Sequence, residues 1–387
     1  MELTDLRGEI DAIDEQLTAL LLRRMDCSAR VAAYKAAHGL PVFHPEREQQ
    51  ILERVQARGG EYGDACALVY AAILDASRGV QQQRLAVGQA LREQLAAARR
   101  ERPDESTLRL VCQGCEGAYS HEAAQLLFPH SGRPRFVEQF ADVFAAVAKG
   151  EADIGILPVE NSSAGAVSEV YDLLMAHRFT IAGAVELPVR HCLLARPGIQ
   201  EQELTAVYSH PQALSQCADF IAAHGLTAQP FSNTALAARM VANSREPIAA
   251  IASEAAAKLY GLKILEKNIQ TVSKNVTRFI AISSVLYIPD DANKISLQFA
   301  LPHRTGSLYH TLARFAMAEL NLTKLESRPD RSGRFDYVFY LDFEGHLQRP
   351  GTKELLCSLS EDMAAFAFLG NYHEKKTEEQ EKGRSST

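Results

Sequence analysis

The 387-residue chain contains no apolar run approaching the ~20 residues that a membrane-spanning helix requires. Its first residues, Met1-Glu2-Leu3-Thr4-Asp5, lack the basic-then-apolar layout of a secretory signal. Positive charge is not in excess: 41 Lys and Arg against 48 Asp and Glu give a formal net charge of −7. No broad basic face for nucleic acid is implied, and an anionic ligand would need a local cluster of cations. A cysteine framework is also missing. Seven cysteines at scattered positions are an odd number, which points to a reducing, cytoplasmic setting. Cys112-x-x-Cys115 has no second Cys/His pair beside it and no thioredoxin-like context. We therefore expect two ordinary thiols, no metal and no cofactor.

What is present is an ordinary globular composition, 47% hydrophobic and 23% charged, in a chain long enough for two to four domains. Leu6, Ile10, Ile13, Leu17 and Leu20 repeat at spacings of four and three, which predicts a helix over 4–37. At ~50 Å it is too long to bury its stripe in a small domain, so a homo-oligomer built on an intertwined helical dimer is expected. Pro45 suits the first turn of a second helix, and a third begins near Asp64 and runs past Gly79. From Leu108 short apolar runs alternate with helical patterns such as Phe140 to Ala148, an α/β texture. A second such block covers roughly 184–265. The chain then passes Thr277-Arg278-Phe279 into a strand expected over 280–288. Two α/β lobes place ligand groups in the cleft between them. Strands over 294–301, 322–327 and 336–343, with helices over 307–319 and 353–366, read as βαββα with room for one more strand. The boundaries that follow are a helical domain over 1–92, a linker over 93–106, the α/β domain over 107–288, a ferredoxin-like domain over 293–372 and a disordered tail over 373–387.

Several strings carry more than periodicity. Asn275-Val276-Thr277-Arg278-Phe279 sets a hydroxyl and a guanidinium side by side, which would suit gripping an anion and helping a leaving group depart. Gly117-Ala118-Tyr119-Ser120-His121, Pro158-Val159-Glu160-Asn161-Ser162-Ser163 and Ser209-His210-Pro211-Gln212 precede it in order. Each alone reads equally as a turn or a helix cap. In the helical part, Arg24 and Lys35 fall within about 20° of each other on one helix, and Ser77 and Gln81 sit at i and i+4. Arg7 points away from that face and would reach the same pocket only from another protomer.

Taken together, these strings resemble the bifunctional chorismate mutase/prephenate dehydratases that end in an ACT regulatory domain. The resemblance implies an all-α mutase domain, a two-lobed dehydratase domain of the periplasmic-binding-protein type, and an α+β ACT domain. It implies chorismate contacts from Arg7, Arg24, Lys35, Arg47, Glu48, Ser77 and Gln81, with Lys35 and Gln81 on the ether oxygen that breaks. The mutase step is an intramolecular rearrangement, so holding the compact conformer and stabilising developing negative charge is enough. For prephenate it implies Asn161, Ser162, Gln212, Arg278 and Phe279 as contacts, with Thr277 as hydrogen-bond donor to the departing hydroxyl. His121 and His210 gain no firm role from it. Gly306-Ser307-Leu308 and Glu326-Ser327-Arg328-Pro329 resemble the strings that bind L-phenylalanine between two ACT domains and close a feedback loop. Two positions depart from the pattern: His44 stands where an acidic residue is usual, and Cys115 where a proline is. Arogenate in place of prephenate, or a binding protein without turnover (a phenylalanine sensor or a solute-binding protein with two α/β lobes), are the alternative readings.

Overall fold

The computed structural model describes residues 2–271, 275–301, 306–329 and 337–376. By packing, the chain divides into two compact units: Met1–Ala97 with Leu297–Phe368, and Ala98–Ser296 with Leu369–Thr387.

The first unit opens with four helices, α1 (Leu3–His38), α2 (Pro45–Arg58), α3 (Gly63–Leu85) and α4 (Gln89–Ala96). α1 is uninterrupted because nothing breaks it before Gly39, which takes the left-handed conformation at its end with φ 64°. Its apolar stripe is left open: Leu6, Ile10, Ile13, Leu17 and Leu20 are 38–58% exposed. α4 corrects the linker boundary, since residues 93–96 are helical and Leu91 and Leu95, four apart, are both buried. The helix starts at Gly88, φ 78°, where a β-carbon would lie 2.5 Å from the Cys357 carbonyl oxygen, so only glycine fits that approach.

The second unit holds two sheets. Its strands are β1 (Leu110–Gln113), β2 (Arg135–Val137), β3 (Ile154–Asn161), β4 (Gly165–Ala166), β5 (Thr180–Pro188), β6 (Cys192–Ala195), β7 (Ala206–Ser209), β8 (Thr227–Pro230), β9 (Ile248–Ala252), β10 (Lys263–Lys267) and β11 (Val276–Ser283). Among the described residues seven α-helices accompany them: α5 (Tyr119–Leu127), α6 (Phe140–Ala148), α7 (Ser168–His177), α8 (Pro211–Gln216), α9 (Ala218–Ala223), α10 (Thr234–Asn243) and α11 (Glu254–Tyr260). One sheet runs β5-β11-β3-β1-β2, with β4 on β3 and a further strand outside β5; the other runs β10-β6-β9-β7-β8. β11 returns antiparallel between β3 and β5. Thr277, Arg278 and Phe279 therefore lie inside the strand, which begins at Val276 and ends at Ser283, not before a strand over 280–288 as expected. Main-chain pairing on both sides fixes the motif more firmly than a loop would.

The chain closes with β12 (Lys294–Leu301), α12 (Ser307–Met317), β13 (Leu322–Pro329), β14 (Tyr337–Glu344), α13 (Thr352–Asp362), β15 (Ala364–Tyr372) and β16 (Glu374–Lys375). The sheet order β13-β14-β12-β15 with a βαββαβ sequence is the ferredoxin-like arrangement. Phe315 of α12 meets Phe343 of β14 edge-on at 5.4 Å, both fully buried, which seats the helix on the sheet. Two expectations fail here. The helix over 353–366 stops at Asp362, because the alanine-rich stretch after it, though good helix material, is recruited as the sheet's outer strand. The tail is not disordered from 373: Glu374 and Lys375 form β16, parallel to β5. The rest of the expected tail, 377–387, lies outside the described residues.

Candidate active sites

The order of the strands decides the first site. β3 ends at Asn161 and β11 carries Thr277 directly opposite it. The Asn161 side-chain oxygen accepts the backbone N–H groups of Ser163 (3.0 Å) and Ala164 (2.9 Å), which fixes which end of the amide is nitrogen. That nitrogen donates to Thr277 Oγ1 and to Asn275 Oδ1, each at 2.8 Å. Asn275 Nδ2 passes the pattern on to Gln216 Oε1 at 3.1 Å. Thr277 is 92% buried by this packing, 8% exposed, and with its oxygen already accepting, its single proton is left to donate. Among the described residues it donates to none.

Thr277 opens onto a cavity of about 410 Å³ between the two lobes. Phe279, two residues on and so on the same face of β11, lines it, with Tyr119, Asn161, His191, His210, Gln212 and Gln216. His210 is the N-cap of α8, its Nδ1 accepting the Gln212 N–H at 3.2 Å. His121 does not line the cavity; its Nδ1 accepts the Gly117 N–H at 3.2 Å. Ser162 is spent on β11, its Oγ accepting the Val276 N–H at 2.9 Å. Arg278, expected to touch prephenate, is not among the lining residues either. Alternation along the strand turns it the other way, where its Nε donates to Glu374 Oε1 at 2.5 Å and a terminal nitrogen to the Tyr372 hydroxyl at 2.7 Å. Gln216 and His191 were not anticipated. Gln216 is one helical turn after Gln212 on α8, a spacing that marks a shared face; nothing in the sequence marked His191. Cys112 is fully buried and burial pushes its thiol up to about 12, so it stays protonated. The Cys115 thiol donates to Asn233 Oδ1 at 3.7 Å.

The second site lies among α1, α2 and α3. Arg24 of α1 donates to Ser77 Oγ and, at 3.4 Å, to the Ile73 carbonyl of α3. Lys35 Nζ donates to the Val42 carbonyl at 2.6 Å; burial holds its pKa below the usual lysine range, with Glu48 drawing it up. Gln81 is 8% exposed and its Oε1 has no partner among the described residues. Gln81 is one helical turn after Ser77, on the same face of α3. Glu48 is paired with Arg78, which also binds Asp75 and stands 5.0 Å over the Phe43 ring. Arg78 was not anticipated, although it adjoins Ser77. Arg47 and Arg7 are exposed. Arg7 is seventeen residues from Arg24, about 25 Å along α1, so the chain cannot bring it to the other cations itself. His44 is the α2 N-cap residue, without a side-chain capping bond.

A type II chorismate mutase model matches residues 6–82 and a prephenate dehydratase model matches residues 110–285. The bifunctional chorismate mutase/prephenate dehydratase of Aquifex aeolicus is 32% identical over 380 residues, 96% of this chain and 98% of its own. The chain belongs to that bifunctional family. It is a chorismate mutase and a prephenate dehydratase, enzymes of phenylalanine biosynthesis. Arogenate dehydratase/prephenate dehydratase 2 of Arabidopsis thaliana is 41% identical over 279 residues, 69% of this chain and 73% of its own. The crystal structure of the prephenate dehydratase of Arthrobacter aurescens in complex with L-Phe is 27% identical with a TM-score of 0.63, covering 70% of this chain and 91% of that one.

In the bifunctional enzyme's ferredoxin-like domain, Gly306 takes φ 84° as the N-cap of α12, with Ser307 and Leu308 in its first turn. Glu326, Ser327, Arg328 and Pro329 form the end of β13, which among the described residues is the edge strand beside β14. Residues 302–305 and 330–336, which flank the two strings, lie outside the described residues. Among the described residues no helix is long and apolar enough to cross a membrane.

Proposed function

We propose that Thr277 is the hydrogen-bond donor to the hydroxyl that leaves prephenate, that the helical site with Lys35 and Gln81 makes prephenate from chorismate, and that L-phenylalanine at the ferredoxin-like domain restrains the enzyme. The observation that carries the first part is the Thr277 hydroxyl itself, facing a substrate-sized cavity with its oxygen occupied by Asn161 and its proton unspent.

In the dehydratase step the bond from the ring to its carboxylate breaks and its electron pair completes the aromatic ring. The ring–oxygen bond breaks at the other end, and the departing hydroxide, hydrogen-bonded by Thr277 as it leaves, takes its proton from solvent to become water. The products are phenylpyruvate, carbon dioxide and water. Thr277 lowers the barrier by donating to the oxygen as charge develops on it, in a setting largely cut off from solvent. Asn161 holds that oxygen so that the proton points into the cavity. Phe279 and the other apolar wall residues offer the substrate carboxylate little hydration, which favours its loss as neutral carbon dioxide. No Asp or Glu lines the cavity among the described residues, so an arogenate ammonium would meet no carboxylate; this favours prephenate over arogenate.

In the mutase step an ether C–O bond breaks as a C–C bond forms, and no proton moves. Arg24, steadied by Ser77, suits a carboxylate, and Lys35 suits the ether oxygen. The open stripe on α1 supports pairing with a second copy, whose Arg7 would complete the cation set. Gly306 at the start of α12 supports the regulatory reading, because unpaired N–H groups there suit an amino acid carboxylate. The test is phenylpyruvate formation by the purified protein from chorismate and from prephenate, with and without phenylalanine. Product from both, suppressed by phenylalanine, is expected. Product from prephenate alone would remove the mutase assignment, and insensitivity to phenylalanine the regulatory one.

A further inference from the structure

One buried titratable group on the dehydratase cavity has no task in the chemistry above. His191 lies between β5 and β6, 2% exposed, on the same wall as Thr277 and Gln216. Its main chain is tied at both ends: the N–H donates to Gln270 Oε1 and the carbonyl accepts from Ile269, each at 3.0 Å. Its ring Nδ1 is 3.4 Å from the Tyr119 hydroxyl, and its Nε2 is 2.9 Å from Gln216 Oε1.

The direction of that last bond follows from the backbone. Ser163 and Ala164 N–H groups fix the Asn161 oxygen, so Asn161 nitrogen faces Asn275 Oδ1, so Asn275 nitrogen faces Gln216 Oε1. An amide oxygen only accepts, so the imidazole proton sits on Nε2 and Gln216 Oε1 takes two donors. Both Gln216 oxygen lone pairs are thereby turned to the wall. Its NH2, which among the described residues donates to nothing, is left on the cavity side.

We propose that His191 is a positioning residue for the dehydratase reaction: its Nε2–H, together with Asn275, locks the Gln216 amide so that its two N–H groups face the substrate and donate to a carboxylate or keto oxygen. Without His191 the amide oxygen loses one of its two donors and can turn toward the substrate, where it would repel an anion. The assignment deepens the dehydratase reading of this cavity and rests on it. Turnover by the parent enzyme tests that reading by itself, whereas the comparison among variants tests His191.

The experiment is a double-mutant cycle on prephenate turnover, with circular dichroism and thermal unfolding of the same preparations as the measure of correct folding. His191→Leu lowers kcat/KM for prephenate roughly tenfold to a hundredfold, the consequence of one lost donor to a buried acceptor. His191→Gln, which can return a donor to the same place, recovers most of that loss. In a Gln216→Leu background, His191→Leu adds less than about twofold, because the two act as one unit. Should the leucine variant not fold, His191→Phe fills the ring's volume without a donor and replaces it in the cycle. The proposal is overturned if the donor-free variant stays within about twofold of the parent, if glutamine recovers nothing, or if the two losses multiply.

Discussion

Arg278, on the strand that carries Thr277, is bound to Glu374, ninety-six residues later in the chain. Glu374 is 1% exposed and also pairs with Lys294, so one buried carboxylate answers two cations. The arginine that adjoins Thr277 thus anchors the last described strand and is turned away from the cavity. Replacing Glu374 with alanine strands both cations. We expect a loss of about 3–5 kcal/mol, the usual result of breaking a buried pair from one side. The urea midpoint of dehydratase inactivation reads it, and an unshifted midpoint would show the pair to be idle.

Thr277→Ala should fold and keep its mutase rate but lose dehydratase turnover by roughly 10²–10³, the range for one preorganised donor to a developing oxyanion. Thr277→Ser retains the hydroxyl and should recover much of the rate. A serine variant as dead as the alanine one would mean that the methyl group, not the proton, matters.

In the proposed mutase role Lys35 acts as an ammonium on the ether oxygen, and burial holds its pKa below the ordinary 10.5. Mutase turnover is therefore retained on the acid side and falls as pH rises through that lowered value. For folding the sign is opposite. The unfolded chain holds this proton more tightly, so the group's contribution to stability improves as pH rises through the same window. Chorismate consumption against pH checks the first part; a profile flat up to 10.5 would take Lys35 out of the mechanism. Lys35→Ala should cut mutase turnover by orders of magnitude and spare the dehydratase.

Gly306→Ala places a β-carbon 3.2 Å from the His310 ring at φ 84°. Backbone there must shift, and phenylalanine inhibition should need roughly tenfold more effector, a coupling loss of about 1.4 kcal/mol. Titration of dehydratase activity with phenylalanine measures it. An unchanged titration would move the effector site elsewhere.

Within the first unit, Gln82 of α3 donates to Asp362 of α13 at 2.6 Å, and Asp362 also holds Arg314 of α12 at 2.8 Å. Burial lowers the Arg314 pKa, with Asp362 opposing. Asp362→Ala leaves that guanidinium with Ser358 Oγ but without its carboxylate. The expected cost is roughly 2–3 kcal/mol, below the fully buried case because both side chains keep 18% exposure. Thermal unfolding followed by mutase activity would show it.

Periodicity and punctuation were enough for much of this molecule. The four-and-three spacing of α1, Pro45 at the start of α2 and Pro211 after the His210 cap are local preferences, and the chain follows them. The motif strings also contain Thr277 and Asn161, which line one cavity, since a motif records residue types whatever their distance in the chain. Tertiary structure decided the rest. The stretch after Asp362 has helical composition but became a strand because a sheet edge was there to pair with. Arg278 turned from the cavity because side chains alternate along a strand whose start no local signal fixed. Glu374 joined the core because two buried cations required a carboxylate. His191 and Gln216 acquired their places from packing of segments far apart in sequence, and long-range packing leaves no periodic trace at the residues it selects.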